Sequence, residues 1–307
     1  MTNENLPLVS VVMPTYNNAN YIDMAINDIL SQTYKKWELI IINDGSTDDT
    51  AEILFKYQKN PKIKVLSFHE NKGICEALNR GVEICSGSYI LRFDADDRCK
   101  NTRIESQLNY LVSNNYDLVG SSVTTIDDEG VVIGKSIYID NCDTIRKTLR
   151  YESPVLHIWL AKKSVYDCVG KYRLSGVEDY DFLLRAIDLG FSISNMKFYD
   201  GIYIRKHAKN TANIYGWQQR QYFNIAWKLH RERVKHGAEI TREWGCHSSF
   251  FTRIGNRIHS YSNRLLVRAI QSNNIFSKAF FVLISAIISP YQFQYLVYRT
   301  ISKIIKR

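Results

Sequence analysis

The chain is predicted to adopt an α/β fold: a Rossmann-like, mostly parallel sheet flanked by helices, with a helical, basic C-terminal extension. Three observations predict it. Short β-branched apolar runs alternate with segments of helical period through the first two thirds, the pattern of parallel βαβ units. Polar clusters follow successive strands, at the sheet edge where open α/β sheets bind ligands. Beyond Lys197 the acids thin out and Lys and Arg dominate. The expected division is a ligand-binding and catalytic region, residues 1–212, and a helical region, residues 213–307.

Val9 to Met13 is a β-branched run closed by Pro14, as in a central strand. Tyr21 to Gln32 carries Ile22, Ala25, Ile26, Ile29 and Leu30 on one helical face, with Asn20 as the expected N-cap. Trp37 to Ile42 is the second strand, stopped by Asn43-Asp44-Gly45-Ser46. Thr47 or Asp48 then caps a helix reaching about Tyr57. Ile63 to Phe68 is a strand, Ile74 to Cys85 a helix, Tyr89 to Phe93 a strand, Asn101 to Asn114 a helix and Leu118 to Thr125 a strand. Asp127 to Ile139 reads as a hairpin turning at Glu129-Gly130. His157 to Ala161 is extended and Ser164 to Val169 helical. Glu178 to Leu189 is a helix with acids in its first turn, closed by Gly190. Phe191 to Met196 and Gly201 to Ile204 are extended.

The last third has another character. Trp217 to His236 is a long, basic, aromatic helical stretch, and Arg253 to Arg268 mixes Ile, Leu and Val with Arg, His and Asn at helical spacing. Ala279 to Ser289 is nearly all apolar but is bounded by Lys278 and Pro290, too short for a membrane span. Tyr291 to Arg307 adds aromatics with Arg299, Lys303, Lys306 and Arg307. Aromatic and basic residues on amphipathic helices describe an interfacial membrane anchor; the competing reading is a helical cap with a solvated basic face.

Composition narrows the class. At 307 residues and 45% hydrophobic, the chain can bury a sizeable core. Met1 to Pro7 is short and polar, so no secretory leader is expected. The six cysteines are scattered without a Cys-x-x-Cys pair, which points to core thiols in a reducing compartment rather than zinc or disulfides. A net charge of +9, concentrated late in the chain, implies an anionic partner. Tyr215, Trp217, Tyr222 and Trp227 among basic residues are compatible with nucleic acid, but no nucleic-acid-binding motif accompanies them and none is expected as a partner.

The chemistry gathers at Asp94-Ala95-Asp96-Asp97, which follows the strand ending at Phe93. Acids packed this closely repel one another and are costly to bury. A hard divalent cation makes sense of them, because carboxylate oxygens suit Mg²⁺ or Mn²⁺; the alternative is a solvated acidic turn. Thr15-Tyr16-Asn17 and Asn43-Asp44-Gly45 end their own strands at the same sheet edge.

At this point the sequence resembles the family 2 inverting glycosyltransferases with the GT-A fold, of the bacterial O-antigen and polysaccharide type. The resemblance covers roughly Leu8 to Thr211. It rests on Val9 to Asn17, Ile42 to Asp48, Asn71-Lys72-Gly73, Ser86 to Ile90, Asp94 to Asp97 and Glu178-Asp179-Tyr180-Asp181, in that order. It implies transfer of a sugar from a UDP-sugar with inversion, aided by Mn²⁺ or Mg²⁺. Pro14, Thr15, Tyr16, Asp44, Lys72, Asp94 and Ala95 match nucleotide-sugar-binding positions. Asp96 and His207 match positions near the metal, His207 with a structural role as its alternative. Asp179 matches the general base, and Glu178 a group orienting a sugar hydroxyl; the alternative for both is simple stabilisation of a helix N-terminus. Arg205 and Lys206 either neutralise diphosphate charge or solvate a strand end. His157 reads as a packing residue. The segment Tyr172 to Val177 departs from the usual family form, and no Gln-x-x-Arg-Trp segment or set of membrane spans follows. Transfer of one sugar per encounter is therefore expected rather than processive synthesis.

The expected reaction moves a hexose, glucose or galactose favoured, onto a lipid-linked, undecaprenyl-diphosphate GlcNAc-type acceptor. A β-1,3 linkage in O-antigen or capsule assembly is expected, with the enzyme peripheral on the cytoplasmic face of the bacterial inner membrane. Rival expectations are transfer to teichoic acid, protein or lipopolysaccharide core, and a non-catalytic nucleotide- or membrane-binding module.

Overall fold

The computed structural model describes residues 6–207, 211–241, 250–272 and 274–306. The chain forms two compact units, Met1–Ile145 with Pro154–Lys206, and Arg146–Ser153 with His207–Arg307. Strands and helices alternate through the first: β1 (Val9–Thr15), α1 (Ile22–Leu30), β2 (Trp37–Asn43), α2 (Thr50–Phe55), β3 (Ile63–Ser67), α3 (Ile74–Glu83) and β4 (Tyr89–Arg92). Then come β5 (Arg98–Cys99), α4 (Arg103–Ser113), β6 (Leu118–Ser121), β7 (Val123–Ile126), β8 (Val132–Ser136), α5 (Cys142–Thr148), β9 (Leu160–Lys162), α6 (Lys163–Val169), α7 (Glu178–Asp188), β10 (Ile193–Met196) and β11 (Ile202–Arg205).

Seven strands form the main sheet in the order β10-β6-β9-β4-β1-β2-β3, and β5-β11-β7-β8 form a smaller one. All pairs of the main sheet are parallel except those of β9, which runs antiparallel to both β4 and β6. Every residue of β1 and β2 is buried, which explains why both read as continuous apolar runs rather than as alternating strands. Pro14 is tolerated in this central strand because the β1–β4 pairing ends at Val12 and Arg92, so its missing N–H has no ladder partner to fail.

Two local expectations are corrected. Tyr21, not Asn20, occupies the N-cap of α1; the Asn18 carbonyl accepts the N–H groups of Tyr21 and Ile22, each at 3.0 Å, so the turn is closed by backbone. The single strand expected over Leu118 to Thr125 is two strands in different sheets. The switch falls at Ser122, whose N–H bonds the Met196 carbonyl at 3.2 Å and whose hydroxyl donates to the Lys197 carbonyl at 2.6 Å. Polar side chains that hold backbone groups let the chain leave one ladder and join another. The hairpin turning near Gly130 is present as β7–β8.

The second unit is helical: α8 (Thr211–His236), α9 (Phe250–Gln271), α10 (Ile275–Ile288) and α11 (Pro290–Ile305). Asn274 caps α10, accepting from the N–H groups of Phe276 and Ser277, and Ser289 caps α11 with Pro290 at its first turn. No helix among the described residues is long and apolar enough to cross a membrane. Cys246 lies outside the described residues, and the side chain of Tyr215 is not among those described.

Candidate active site

The carboxyl ends of β1, β2 and β4 lie side by side and carry the three polar clusters. Asp44, immediately after β2, is 4% exposed. Its N–H donates to the Thr15 carbonyl at 2.8 Å, and its carboxylate accepts the N–H groups of Lys72 and Gly73 at 2.7 and 2.9 Å. Burial pushes the Asp44 carboxyl up, and those two amides counter only part of the push. Gly45 is required beside it: φ is +68°, and a Cβ there would lie 2.4 Å from the Glu70 carbonyl carbon. Pro14 and Thr15 are buried within β1, whereas Tyr16 is 44% exposed at its end. Asn17 fastens the loop after β1 to the loop after β2, its Oδ1 accepting from Thr47 N–H at 2.8 Å. The Lys72 side chain is exposed, its ammonium 5.0 Å from the centre of the Phe68 ring.

The acidic loop is braced from beneath by arginines. Arg92 is 4% exposed; its Nε meets Asp94 Oδ1 and its Nη1 meets Glu178 Oε1, each at 3.1 Å. Arg103, fully buried, donates to the carbonyls of Arg92 and Ile158, both at 2.9 Å, and so fastens the end of β4 to the segment entering β9. Arg205 N–H donates to Asp97 Oδ1 at 2.9 Å. Its guanidinium bonds the carbonyls of Asp96, Asp127 and Asp128 at 2.8–2.9 Å. The expected alternatives for Arg205, diphosphate neutralisation or solvation of a strand end, give way to this clamp: a buried guanidinium takes backbone carbonyls as partners.

His157 stands in the middle. Its Nε2 is 3.1 Å from Asp94 Oδ2, and its Nδ1 is 3.8 Å from Asp179 Oδ2. It is therefore not the packing residue expected from sequence. Its position follows from topology: β9 pairs antiparallel with β4, Leu91 opposite Leu160, and Arg92 N–H donates to the Trp159 carbonyl at 3.2 Å, so the segment entering β9 passes the carboxyl end of β4. The signal existed in the extended run from His157 to Ala161, but the pairing partner is not visible in one sequence.

Helix α7 delivers its acids to separate partners. Glu178 accepts from Arg92 and, at 2.9 Å, from Gly176 N–H. Asp179 accepts from Tyr180 N–H at 2.7 Å through Oδ1, leaving Oδ2 on the His157 side. Asp181 is fully buried and pairs with Arg173 at 2.8 Å and Arg185 at 2.9 Å; Arg185 also donates to the carbonyls of Val169 and Lys171. This network anchors the start of α7 and the segment before it.

Charge is unevenly distributed here. Burial opposes ionisation of Asp94, but Arg92 and then His157 prevail and hold its carboxyl far below the usual range. Burial, reinforced by the charges of Asp96 and Asp94, drives Asp97 well above it. Burial also raises Glu178, with Arg92 opposing. Burial works against the charged form of His157, and the adjacent Asp94 carboxylate outweighs it, so the imidazole is raised. One donor atom each from Asp94, Asp97 and His157 lies within 4.8 Å of the others. A divalent cation would relieve the repulsion that lifts Asp97, and carboxylate oxygens are the donors Mg²⁺ and Mn²⁺ take. The residues fit such an ion. Asp96 sits on the same turn, half-buried, outside that group of three. His207 belongs to the second unit.

This α/β architecture is the GT-A fold. The structure matches that of S. aureus TarS 1–349 with a TM-score of 0.57, covering 96% of this chain and 92% of that one at 16% identity. TarS 1–349 has also been crystallised with UDP and with UDP-GlcNAc. The profile of glycosyl transferase family 2 matches residues 10–170. A glycosyltransferase of Haemophilus influenzae is 32% identical over 248 residues, 75% of this chain and 74% of the relative. A Bacillus subtilis glycosyltransferase, TuaG, whose name assigns it to teichuronic acid biosynthesis, is 34% identical over 133 residues, 43% of this chain and 53% of the relative. The chain belongs to glycosyl transferase family 2, and it is a glycosyltransferase.

Proposed function

We propose that the protein is an inverting hexosyltransferase that takes one sugar, glucose or galactose favoured, from a UDP-sugar to a lipid-linked diphosphate sugar acceptor, forming a β-linkage. The observation that carries this reading is the placement of Asp179, whose Oδ2 lies 3.8 Å from the histidine that bridges to Asp94 at 3.1 Å. A carboxylate at that place can take the proton of an acceptor hydroxyl. The hydroxyl oxygen then bonds the anomeric carbon as the bond from that carbon to the diphosphate breaks. The electron pair leaves on UDP, and configuration inverts. Tyr180 N–H fixes one oxygen of Asp179, so the other stays presented. Glu178 acts with Arg92, holding the arginine against Asp94, and is the group proposed to orient a sugar hydroxyl. Pro14, Thr15, Tyr16, Asp44, Lys72 and Ala95 form the nucleotide side, Tyr16 offering an exposed ring on which a base can stack. Asp96 and Asp97, with Asp94 and His157, would hold Mn²⁺ or Mg²⁺; when bound, such a cation supplies Lewis-acid stabilisation of the departing diphosphate. The UDP complexes of TarS support a uridine donor.

The acceptor reading rests on the second unit, which has an unusual polarity. Small polar side chains face inward: Ser262 and Ser285 exchange hydrogen bonds at 2.8 and 3.0 Å, and buried His259 meets Ser289 at 3.0 Å. Burial, with nearby Arg220, pushes the His259 imidazole down to about 4. Apolar side chains face outward on α10: Phe276 is 83% exposed, Ile287 68%, and Phe280 and Leu283 58% each. That spacing forms one helical stripe. Helices with polar contacts inside and apolar residues outside suit the headgroup boundary of a bilayer. The helix has 14 residues, and at 1.5 Å per residue that is about 21 Å. It therefore suits lying in an interface rather than spanning. We place the enzyme peripherally on the cytoplasmic face of the bacterial inner membrane, where a lipid-diphosphate acceptor would be found. A second reading, transfer to a cell-wall polymer such as teichuronic acid, is favoured by the likeness to TuaG.

The test is product chemistry. A synthetic polyprenyl-diphosphate GlcNAc incubated with several UDP-sugars should give one β-linked hexosyl product by mass spectrometry and NMR, a β-1,3 bond being expected. The Asp179→Asn variant should bind UDP normally and yield none. An α-linked product, or turnover by that variant near the wild-type rate, would end the inverting, Asp179-based reading.

A further inference from the structure

The second unit contains a cavity of about 350 Å³ lined by Arg150, Asn224, Trp227, Lys228, Arg231 and Gln294. Three of these are cations and none is an acid. Arg150 is held in place, its guanidinium 4.8 Å from the centre of the Tyr298 ring and 5.6 Å from that of Trp227, with Asn224 Oδ1 at 3.4 Å. The amides of Asn224 and Gln294 bond each other at 3.2 and 3.3 Å and close one wall. The acids close in sequence are engaged. Glu152 pairs with Lys306, and Glu232 accepts from the Thr241 hydroxyl and from the N–H groups of Ile240 and Thr241. Glu232 reaches Lys228 only at 3.8 Å, and Arg231 has no ion pair among the described residues. Three cations around a concavity whose lining holds no acid, one of them pre-oriented between two rings, are the chemistry that recognises phosphate oxygens.

We propose that this cavity binds a phosphate group carried on a lipid, either the diphosphate of a lipid-linked acceptor or a phospholipid headgroup. The phosphate site stands on the cavity alone; its assignment to the acceptor rests on the function proposed above. Arg150 holds the anion, while Lys228 and Arg231, both exposed, close over it.

The full chain should be titrated with inorganic pyrophosphate by calorimetry, in the absence of divalent cations. It should also be sedimented with phosphatidylcholine vesicles with and without phosphatidylglycerol. The probe variant is Lys228→Ala with Arg231→Ala, and Lys228→Arg with Arg231→Lys is the rescue. Pyrophosphate binding that weakens at least roughly tenfold in the alanine pair and returns in the charge-preserving pair assigns the site to a diphosphate. No pyrophosphate binding, but phosphatidylglycerol-dependent sedimentation that follows the same pattern, assigns it to a headgroup. If neither measurement responds to the alanine pair, the site is overturned. Sugar transfer is assayed separately with a soluble acceptor, so loss of that activity is distinguishable from loss of phosphate binding.

Discussion

His157 Nε2 lies 3.1 Å from Asp94 Oδ2, in the segment entering the strand that runs antiparallel beside β4, and its other ring nitrogen faces Asp179. One imidazole thus spans the strand-end acids and the acid of α7. Without a bound cation, a ring protonated on both nitrogens can donate toward each carboxylate and fix their spacing.

Replacing that ring should therefore disturb alignment more than binding. His157→Ala is expected to lower kcat on the order of 10²-fold, the cost of misplacing a reacting group by about an ångström, with a smaller change in donor KM. Steady-state kinetics over a range of UDP-sugar concentrations measures the split. Wild-type kcat in the variant would remove His157 from the site.

The acidic turn should show its function in binding. Asp96→Ala and Asp97→Asn are each expected to abolish the Mn²⁺-dependent part of UDP affinity, because the turn would lose donors for a hard cation. Calorimetry with and without Mn²⁺ reports this directly, and undiminished UDP/Mn²⁺ affinity in both variants would contradict the assignment.

The outward stripe of α10 predicts vesicle binding. Phe280→Glu with Leu283→Glu should release the protein from anionic liposomes, since each large apolar side chain contributes about 1.5–3 kcal/mol when transferred from water. Both positions are exposed, so folding should be kept. Unchanged co-sedimentation would argue for a water-facing helical cap instead.

Stability should respond to pH through Glu38. Its carboxylate accepts from Ser10 Oγ and Ser86 N–H at 2.6 Å and pairs with Lys64 at 2.7 Å. Burial opposes its charge, yet Lys64, Ser10 and Ser86 together lower its pKa. A folded-state value below the unfolded one gives stability that is full above the unfolded pKa of about 4.3 and is lost as pH falls through the folded value. Glu38→Gln should therefore cost about 1–2 kcal/mol at pH 7 by denaturant unfolding, with the gap to wild type closing in acid. A gap that persists in acid would mean packing, not ionisation, is responsible.

The sequence by itself determined the βαβ order, the buried central strands and the three strand-end clusters, because those follow from local hydrophobic period and turn chemistry. It determined the family too, through motifs whose order is fixed by the sheet. It also exposed the change of character after Lys197. What only the tertiary structure decided is which distant groups meet. Arg92 faces Glu178 across the fold, Arg205 clamps three carbonyls, and the segment entering an antiparallel strand carries His157 to Asp94. The split of Leu118 to Thr125 between two sheets was likewise invisible, since both halves have the same extended pattern. Local spacing encodes the face a side chain takes; the partner on that face depends on strand order and register, which are set by packing of the whole chain.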